Sequence, residues 1–155
     1  MSLAKAVATA TIYDAKTFEP RNCVGRLLAL VKLSMSDALD EELAPLGITA
    51  AQFVILVMLA DADADSASNL CRSASYDQGA MTRMIDRLER KGLVRRVRSP
   101  NDRRRVNLEL TADGRAVYPK LIESAANVQN RFLRGFSKTE AQQLEGLLGR
   151  MLANR

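Results

Sequence analysis

The sequence has no histidine, no tryptophan and only two cysteines among its 155 residues. Zinc is usually held by four cysteine or histidine side chains, so this chain cannot build a site of that kind. Catalytic dyads and triads in which histidine is the base are excluded for the same reason. Two cysteines form no disulfide framework, which makes a reducing cytoplasm the expected compartment.

Long apolar runs are also lacking. No run approaches the roughly 18–20 residues that cross a membrane, and residues 1–20 lack the basic region and apolar core of a secretory signal. We therefore expect a cytoplasmic protein with no membrane association. The length predicts a single domain, expected over residues 21–155. Because the first residues show no sustained hydrophobic period, residues 1–20 are expected to form an N-terminal arm.

The aspartates at positions 61, 63 and 65 resemble the start of a calcium-binding loop. An EF-hand loop requires glycine at its sixth position and glutamate at its twelfth, where this chain has Ser66 and Arg72. The aspartates are better explained as the end of one helix and the start of the next. Because the chain also lacks a phosphate-binding glycine loop, the sequence predicts no metal, no cofactor and no enzyme activity.

The positive charge is concentrated in one short segment. The whole chain carries +5, but residues 83–105 contain ten basic and three acidic residues, a charge of +7, and the remaining residues sum to −2. Nine of the ten basic residues are arginine, whose planar guanidinium suits phosphates and guanine edges. A solvated surface is the ordinary explanation of a charge run, but this density and this arginine bias favour nucleic-acid binding.

Hydrophobic periodicity predicts a mainly α chain with one small β-hairpin. The helices are expected over residues 22–44, from the capping box at 49–52, over 66–75, from the cap Asp77 to 91, from Thr111 to about 135 with a bend at Pro119, and from Ser137 onward. The wholly apolar residues 53–59 are expected to be buried on all sides. Strands over 93–98 and 106–110 are expected to form a hairpin with an arginine-rich tip.

The helix after Asp77 has two different sides. Its apolar stripe, expected to face the core, consists of Met81, Met84, Ile85 and Leu88. Its opposite side is basic, and a basic hairpin follows it, which is the order of a winged helix-turn-helix. Since the major groove of B-DNA admits one helix, this helix is expected to read bases there while the hairpin reaches phosphates or the minor groove.

Two stretches of the chain also resemble a known family. Residues 84–94 read MIDRLERKGLV and residues 102–114 read DRRRVNLELTADG, which is similar to the helix-turn-helix and to the wing signature (Asp-x-Arg, then Leu-Thr-x-x-Gly) of MarR-type transcriptional regulators. The resemblance extends from about Asn22 to Ala153. It implies a homodimer that binds a pseudopalindromic operator in double-stranded DNA, with Arg104 in the minor groove and Asp102 orienting it.

The predicted DNA contacts lie on the helix-turn-helix and the hairpin. They are Ser68, Asp77, Gln78, Gly79, Ala80, Thr82, Arg83, Arg87, Arg98, Asp102, Arg103, Arg104 and Arg105. The winged unit is expected at about 49–111. The amphipathic helices at about 21–46 and 112–154 flank it, and because their apolar faces need a partner, they are expected to form the dimer.

Two mechanisms could control DNA binding, and the sequence does not decide between them. Family members often respond to small aromatic acids or phenolics, for which the candidate contacts are Arg26, Lys32, Val31, Met35, Phe53 and Val57. Salt bridges explain the two cations better than a ligand does, and core packing explains the apolar residues equally well. Other members sense oxidants through a cysteine in the first helix, and Cys23 is the candidate here. The peroxide sensors place their cysteine near position 25, and the tyrosines that they set against it are replaced by Ala29 and Leu39. A non-specific architectural DNA-binding protein is the remaining alternative.

Overall fold

The computed structural model describes residues 11–61, 66–74, 76–99 and 106–154. The described residues form six α-helices and one two-stranded antiparallel sheet, with short 3-10 turns at Pro20–Asn22 and Ala44–Leu46. In chain order the elements are α1 (Val24–Leu43), α2 (Ala50–Ala60), α3 (Ala67–Ala74), α4 (Gln78–Arg90), β1 (Val94–Arg98), β2 (Val106–Leu110), α5 (Ala112–Phe132) and α6 (Lys138–Ala153). The expected mainly α fold with a small hairpin is confirmed.

The chain divides into two compact units, one that ends at Ser34 and one that begins at Met35. In the first unit, the rings of Tyr13 and Phe18 meet edge to face with centroids 5.3 Å apart. The backbone N–H of Val24 donates to Tyr13 Oη at 3.2 Å, which satisfies one free amide at the start of α1. The part of α1 in this unit exposes large apolar side chains, namely Val24, Leu27, Leu30, Val31 and Leu33.

The core of the second unit lies beneath α3 and α4, the two helices of the helix-turn-helix. It is one cluster drawn from the end of α1, from α2 to α5 and from both strands, and its members are Leu43, Ile48, Ile55, Leu56, Leu70, Met81, Ile85, Leu88, Val94, Leu108, Leu110 and Leu121. The predicted stripe of α4 is confirmed, since Met81, Ile85 and Leu88 are fully buried and Met84 packs against the same cluster. This packing fixes which side of α4 faces outward.

The prediction that α2 is buried on all sides is wrong for the isolated chain. Ile55 and Leu56 are completely buried, whereas Phe53, Val54 and Val57 are only half-buried. A uniformly apolar helix gives no signal of which side packs first, so only the contacts of the folded chain distinguish its buried and half-buried sides.

The start of α2 is held by its own capping box and by two side chains from α1 and from the end of α4. The predicted capping box is present: Thr49 Oγ1 accepts from the backbone of Gln52, and Gln52 Oε1 accepts from the backbone of Thr49. Asp40 of α1 accepts a 2.6 Å hydrogen bond from the N–H of Ala50. Lys91, which follows α4, donates through Nζ to the carbonyl of Gly47 and, at 3.3 Å, to Gln52 Oε1. The end of α4 is thereby attached to the start of α2.

The start of α5 is attached to the base of the hairpin. Thr111 caps α5 by accepting from the N–H of Gly114 at 3.0 Å, and its hydroxyl donates to the carbonyl of Gly92 at 2.5 Å. The N–H of Thr111 donates to the carbonyl of Leu93 at 3.1 Å. Gly114 is buried so close to the Leu93 carbonyl that a Cβ there would overlap it. These contacts explain why threonine and glycine stand three residues apart in the Leu-Thr-x-x-Gly motif of residues 110–114.

The last two helices carry apolar side chains that the described chain leaves uncovered. α5 is continuous through Pro119 and ends at Phe132, three residues before Gly135, whose φ of 89° is left-handed. α6 begins at the predicted cap Ser137. Its exposed apolar residues are Leu144, Leu147, Met151 and Leu152.

Among the described residues, no single helix combines the length and apolarity needed to cross a membrane. Only the bent pair Val24–Leu46 and Ala50–Ala60, with 79° between its parts, reaches that length and composition together. The second and third aspartates of the apparent calcium loop, at positions 63 and 65, lie outside the described residues, as do the arm residues 1–10.

Candidate nucleic-acid interface

The recognition surface is built on α4, whose start is fixed by a side-chain cap. Asp77 Oδ1 accepts from the N–H of Ala80 at 2.9 Å, as its position predicts. Because the opposite side of α4 is held in the core, the residues that the sequence assigned to DNA contact face outward. Those of them that are exposed are Ser68 on α3, Asp77, Gln78, Gly79, Thr82, Arg83 and Arg87 on α4 or its cap, and Arg98 at the end of β1; Ala80 is half-buried.

The hydrogen bonding of Thr82 limits what it can offer a base. Its Oγ1 donates to the carbonyl of Gln78 at 2.8 Å, one turn earlier in α4. The hydroxyl hydrogen is therefore already used, and the oxygen is left as an acceptor toward the groove. Gln78 and Arg83 supply the donors on the same exposed surface.

Alternate residues of β1 lie on opposite sides of the hairpin, and one of these sides faces α4. In the register, Val94 pairs with Leu110 and Arg96 pairs with Leu108. Since alternate residues of a strand share one side, Arg96 lies on the core-facing side with the buried Val94, and Arg98 follows on that same side. This placement brings the Arg96 guanidinium over the side of α4.

Arg96 connects the wing to two carboxylates of α4. Its Nη2 lies 2.6 Å from Asp86 Oδ1, its Nη1 contacts Glu89 Oε2, and its backbone N–H donates to Glu89 Oε1 at 3.3 Å. The hydrogen bond to Asp86, together with the charge of Glu89, raises the pKa of Arg96 above its ordinary value. A residue of β1 thus binds both acids of α4, and its single positive charge offsets one of their two negative charges.

On the outer side of the hairpin, Arg95 pairs with Glu109, with Nη2 2.7 Å from Oε2. Arg95 and Arg96 are therefore engaged by carboxylates, and their charge is not freely available to a phosphate. In contrast, Arg83, Arg87, Arg90 and Arg98 form no ion pair with any acid in the part of the chain that the structure describes.

Two cations at the end of α4 were not among the predicted DNA contacts. Arg90 and Lys91 are exposed and, with Arg87, line a surface cavity of about 330 Å³. Their spacing, with Arg87 at i, Arg90 at i+3 and Lys91 at i+4, was a signal in the sequence that they share one side of the helix. The predicted wing-tip contacts Asp102, Arg103, Arg104 and Arg105 lie outside the described residues.

The candidate effector residues are distributed over both units. Arg26, Val31 and Lys32 are exposed on α1 in the first unit, where neither cation forms an ion pair with a described residue of that unit. In the second unit Met35, Phe53 and Val57 are half-buried.

Neither cysteine is fully exposed. Cys23 Sγ lies 3.5 Å from the carbonyl of Pro20, within hydrogen-bond reach, and Cys71 packs against the core beneath the helix-turn-helix.

A helix-turn-helix followed by a basic antiparallel hairpin defines a winged helix-turn-helix protein, a class that binds double-stranded DNA. A family model and a relative identify its family. The model of the MarR family matches residues 48–106. The Multiple antibiotic resistance protein MarR of Escherichia coli K12 is 36% identical over 130 residues, which is 83% of this chain and 90% of that protein.

Solved structures agree with this assignment. The crystal structure of a cysteine-to-serine variant of E. coli MarR complexed with operator DNA has a TM-score of 0.74 at 36% identity, covering 83% of this chain and 92% of that one. A structure of Bordetella bronchiseptica BpsR, described as regulated in its DNA binding by 6-hydroxynicotinic acid, has a TM-score of 0.76 at 28% identity, covering 86% and 96%. The chain belongs to the MarR family and is a DNA-binding transcriptional regulator.

Proposed function

We propose that the protein is a homodimeric repressor that binds a pseudopalindromic operator and is released by a small aromatic or phenolic ligand. The observation that carries the DNA-binding part is the asymmetry of α4. One side is buried in the core, and the other is exposed with Gln78, Thr82 and Arg83 near its N-terminal end.

In this proposal the N-terminal half of α4 reads base edges in the major groove. Arginine recognises guanine by a bidentate hydrogen bond, and glutamine recognises adenine in a similar way. Arg83 and Gln78 are exposed at suitable positions for these two contacts, while Thr82 Oγ1 accepts from a base amino group.

The hairpin acts outside that groove. Arg98 pairs with Val106 in the last register pair of the two strands before the tip, is exposed and forms no ion pair with a described acid. It is placed to meet a phosphate as the hairpin leaves α4. The role of Arg104 in the minor groove, with Asp102 orienting it, is part of the proposal because the family resemblance implies it.

The homodimer is supported by apolar surface at both ends of the chain. In the first unit Leu27 and Leu33 are 52% and 59% exposed, and in α6 of the second unit Leu147 and Leu152 are 55% and 63% exposed. Large apolar side chains exposed on a folded chain in this way mark an interface. A second copy would cover it and, by two-fold symmetry, place two α4 helices about 34–36 Å apart on successive turns of DNA.

The effector proposal is supported by the relative whose DNA binding is described as regulated by 6-hydroxynicotinic acid, an aromatic acid with a ring hydroxyl. Arg26 and Lys32 are exposed cations that can pair with such a carboxylate. Oxidation of Cys23 stays the alternative switch.

Selection from a randomised duplex pool tests the DNA-binding proposal. We expect an inverted-repeat site to be enriched and to bind at least about 10³-fold more tightly than a scrambled duplex. Gln78→Ala and Arg83→Ala should each lose preference at particular base pairs by about 1–3 kcal/mol. Arg134→Ala, on the connection between α5 and α6, serves as the control and should keep the preference of the wild type.

If no site is enriched and all duplexes bind alike, the protein is an architectural DNA-binding protein and the operator proposal is overturned. The effector is tested separately by thermal shift with small aromatic carboxylates, since a ligand that binds only the folded state raises the Tm. A shift that Arg26→Gln abolishes supports the ligand switch, whereas loss of DNA binding on oxidation that Cys23→Ser prevents supports the redox switch.

A further inference from the structure

The described residues that line the cavity at the end of α4 are all cationic. Arg87, Arg90 and Lys91 surround a space of about 330 Å³, which accommodates a phosphate group and its first waters. No described acid pairs with any of the three. An uncompensated group of three positive charges on an exposed surface attracts a polyanion.

The three cations extend one edge of the recognition helix. Arg83, four residues before Arg87, lies on the same edge, and from Arg83 to Lys91 the helix rises by about 12 Å. The acids of α4 do not interrupt this edge, because Asp86 and Glu89 are bound by Arg96 of β1. The helix thus has a cationic edge and, on its other side, two acids that are paired with Arg96 of the wing.

Two of the cations are held in place by uncharged acceptors. Lys91 Nζ donates to the carbonyl of Gly47 and to Gln52 Oε1, and Arg90 Nε lies 3.4 Å from the carbonyl of Asp86. These contacts position both side chains without cancelling their charge, and they leave donors of each group free. A site with positioned, uncompensated donors loses less conformational entropy when it binds an anion.

We propose that Arg87, Arg90 and Lys91 form a phosphate site that binds one phosphate of the DNA backbone beside the major groove occupied by α4. The inference rests on the proposed DNA-binding function and adds Arg90 and Lys91 to its contacts. With the N-terminal half of α4 on the bases, the cationic edge faces the phosphates of one strand. A free phosphate or a phosphorylated small molecule offers the same chemistry, so the test has to separate the two sources.

The test measures DNA affinity over a series of KCl concentrations for the wild type and for Arg90→Gln. If Arg90 neutralises a backbone phosphate, the slope of log K against log [salt] becomes shallower by about 0.9. The loss of affinity is the same for the selected site and for a scrambled duplex, because a phosphate contact carries no base information. Arg90→Lys, which keeps the charge, is expected to keep the slope.

Arg134→Gln is the matched control and removes one exposed arginine from the connection between α5 and α6 without changing the slope. A slope for Arg90→Gln equal to that of the wild type overturns the proposal. A thermal-shift measurement with inorganic phosphate, compared with KCl at the same ionic strength, distinguishes a small phosphate ligand from the DNA backbone. If it raises the Tm of the wild type but not of Arg90→Gln while the DNA slopes agree, the site serves a small phosphate and the DNA assignment is wrong.

The two duplexes also separate this inference from the proposed operator function. If the selected and scrambled duplexes bind alike, the operator proposal fails, but the slope change on either duplex still supports the phosphate site. If the wild type binds neither duplex, both proposals are overturned.

Discussion

At the level of single residues, the tightest constraint described in this chain is at Gly114. The glycine is buried in the first turn of α5, directly against the carbonyl of Leu93, while Thr111 binds the carbonyl of Gly92. Backbone meets backbone at this junction, so there is no flexible side chain that could move aside. The junction fixes α5 to the base of the wing, and a side chain at this glycine would push the two apart.

Gly114→Ala is therefore expected to lower the free energy of unfolding by about 1–3 kcal/mol, as overpacking does in a tight interior. Urea unfolding at a fixed protein concentration measures it. Gly146→Ala is the control, because Gly146 is also helical but has no atom within 4 Å of a Cβ placed there. Alanine at that position should raise the free energy of unfolding by up to about 1 kcal/mol. Equal effects at the two glycines would contradict the close contact with Leu93.

At the level of elements, the wing and the recognition helix act as one electrostatic unit. Arg96 of β1 binds Asp86 and Glu89 of α4 on an exposed surface, where an ion pair adds only about 0.2–1 kcal/mol to folding stability. Its larger consequence concerns DNA. Without Arg96, two negative charges of α4 would be left unpaired beside the phosphate backbone.

Arg96→Gln should therefore lower DNA affinity by about tenfold, which corresponds to roughly 1.4 kcal/mol, while changing the free energy of unfolding by less than about 1 kcal/mol. Fluorescence anisotropy at low salt measures the affinity. Adding Asp86→Asn and Glu89→Gln to the variant should restore most of it, because the repelling charges are gone. Arg95→Gln, which breaks only the pair with Glu109 on the outer side of the hairpin, is the control. If the triple variant binds no better than Arg96→Gln, Arg96 acts on DNA directly.

Local patterns in the sequence predicted the elements well, because caps and periodicity are local. Asp77, Thr111 and Ser137 cap their helices as expected, and the strand Val106–Leu110 has the predicted bounds. The uniformly apolar α2 was the exception, since it contains no periodicity from which its half-buried side could be read.

The candidate site was predicted less completely than the fold. The sequence located the +7 segment, but a sum of charges does not say which charges are already paired. Arg95 and Arg96 proved to be engaged by carboxylates, and one partner, Glu109, lies outside that segment on the opposite strand. Pairing across strands depends on register and on which side of the hairpin faces α4, and both are properties of the folded chain.

At the level of the whole molecule, the apolar surface on α6 is the feature that a single chain leaves unsatisfied. Leu144, Leu147 and Met151 recur at three- and four-residue steps along the helix and are 39%, 55% and 46% exposed. A stripe of this kind stabilises a protein only when another surface covers it. In the proposed dimer the second copy covers it, and the same association brings two recognition helices to one operator.

Leu147→Glu places a carboxylate in the middle of that stripe, and symmetry places a second one in the partner copy. We expect sedimentation equilibrium to show a monomer at micromolar concentration, because an unpaired charge is costly to bury in an apolar interface. DNA affinity should fall by about 10²–10⁴-fold, since each half-site is then bound without the gain from bivalency.

Gln142→Glu adds the same charge at an exposed position on the other side of α6 and should remain dimeric with wild-type affinity. A Leu147→Glu variant that stays dimeric would place the interface elsewhere. A variant that becomes monomeric but keeps full affinity would show that one recognition helix is enough to bind DNA.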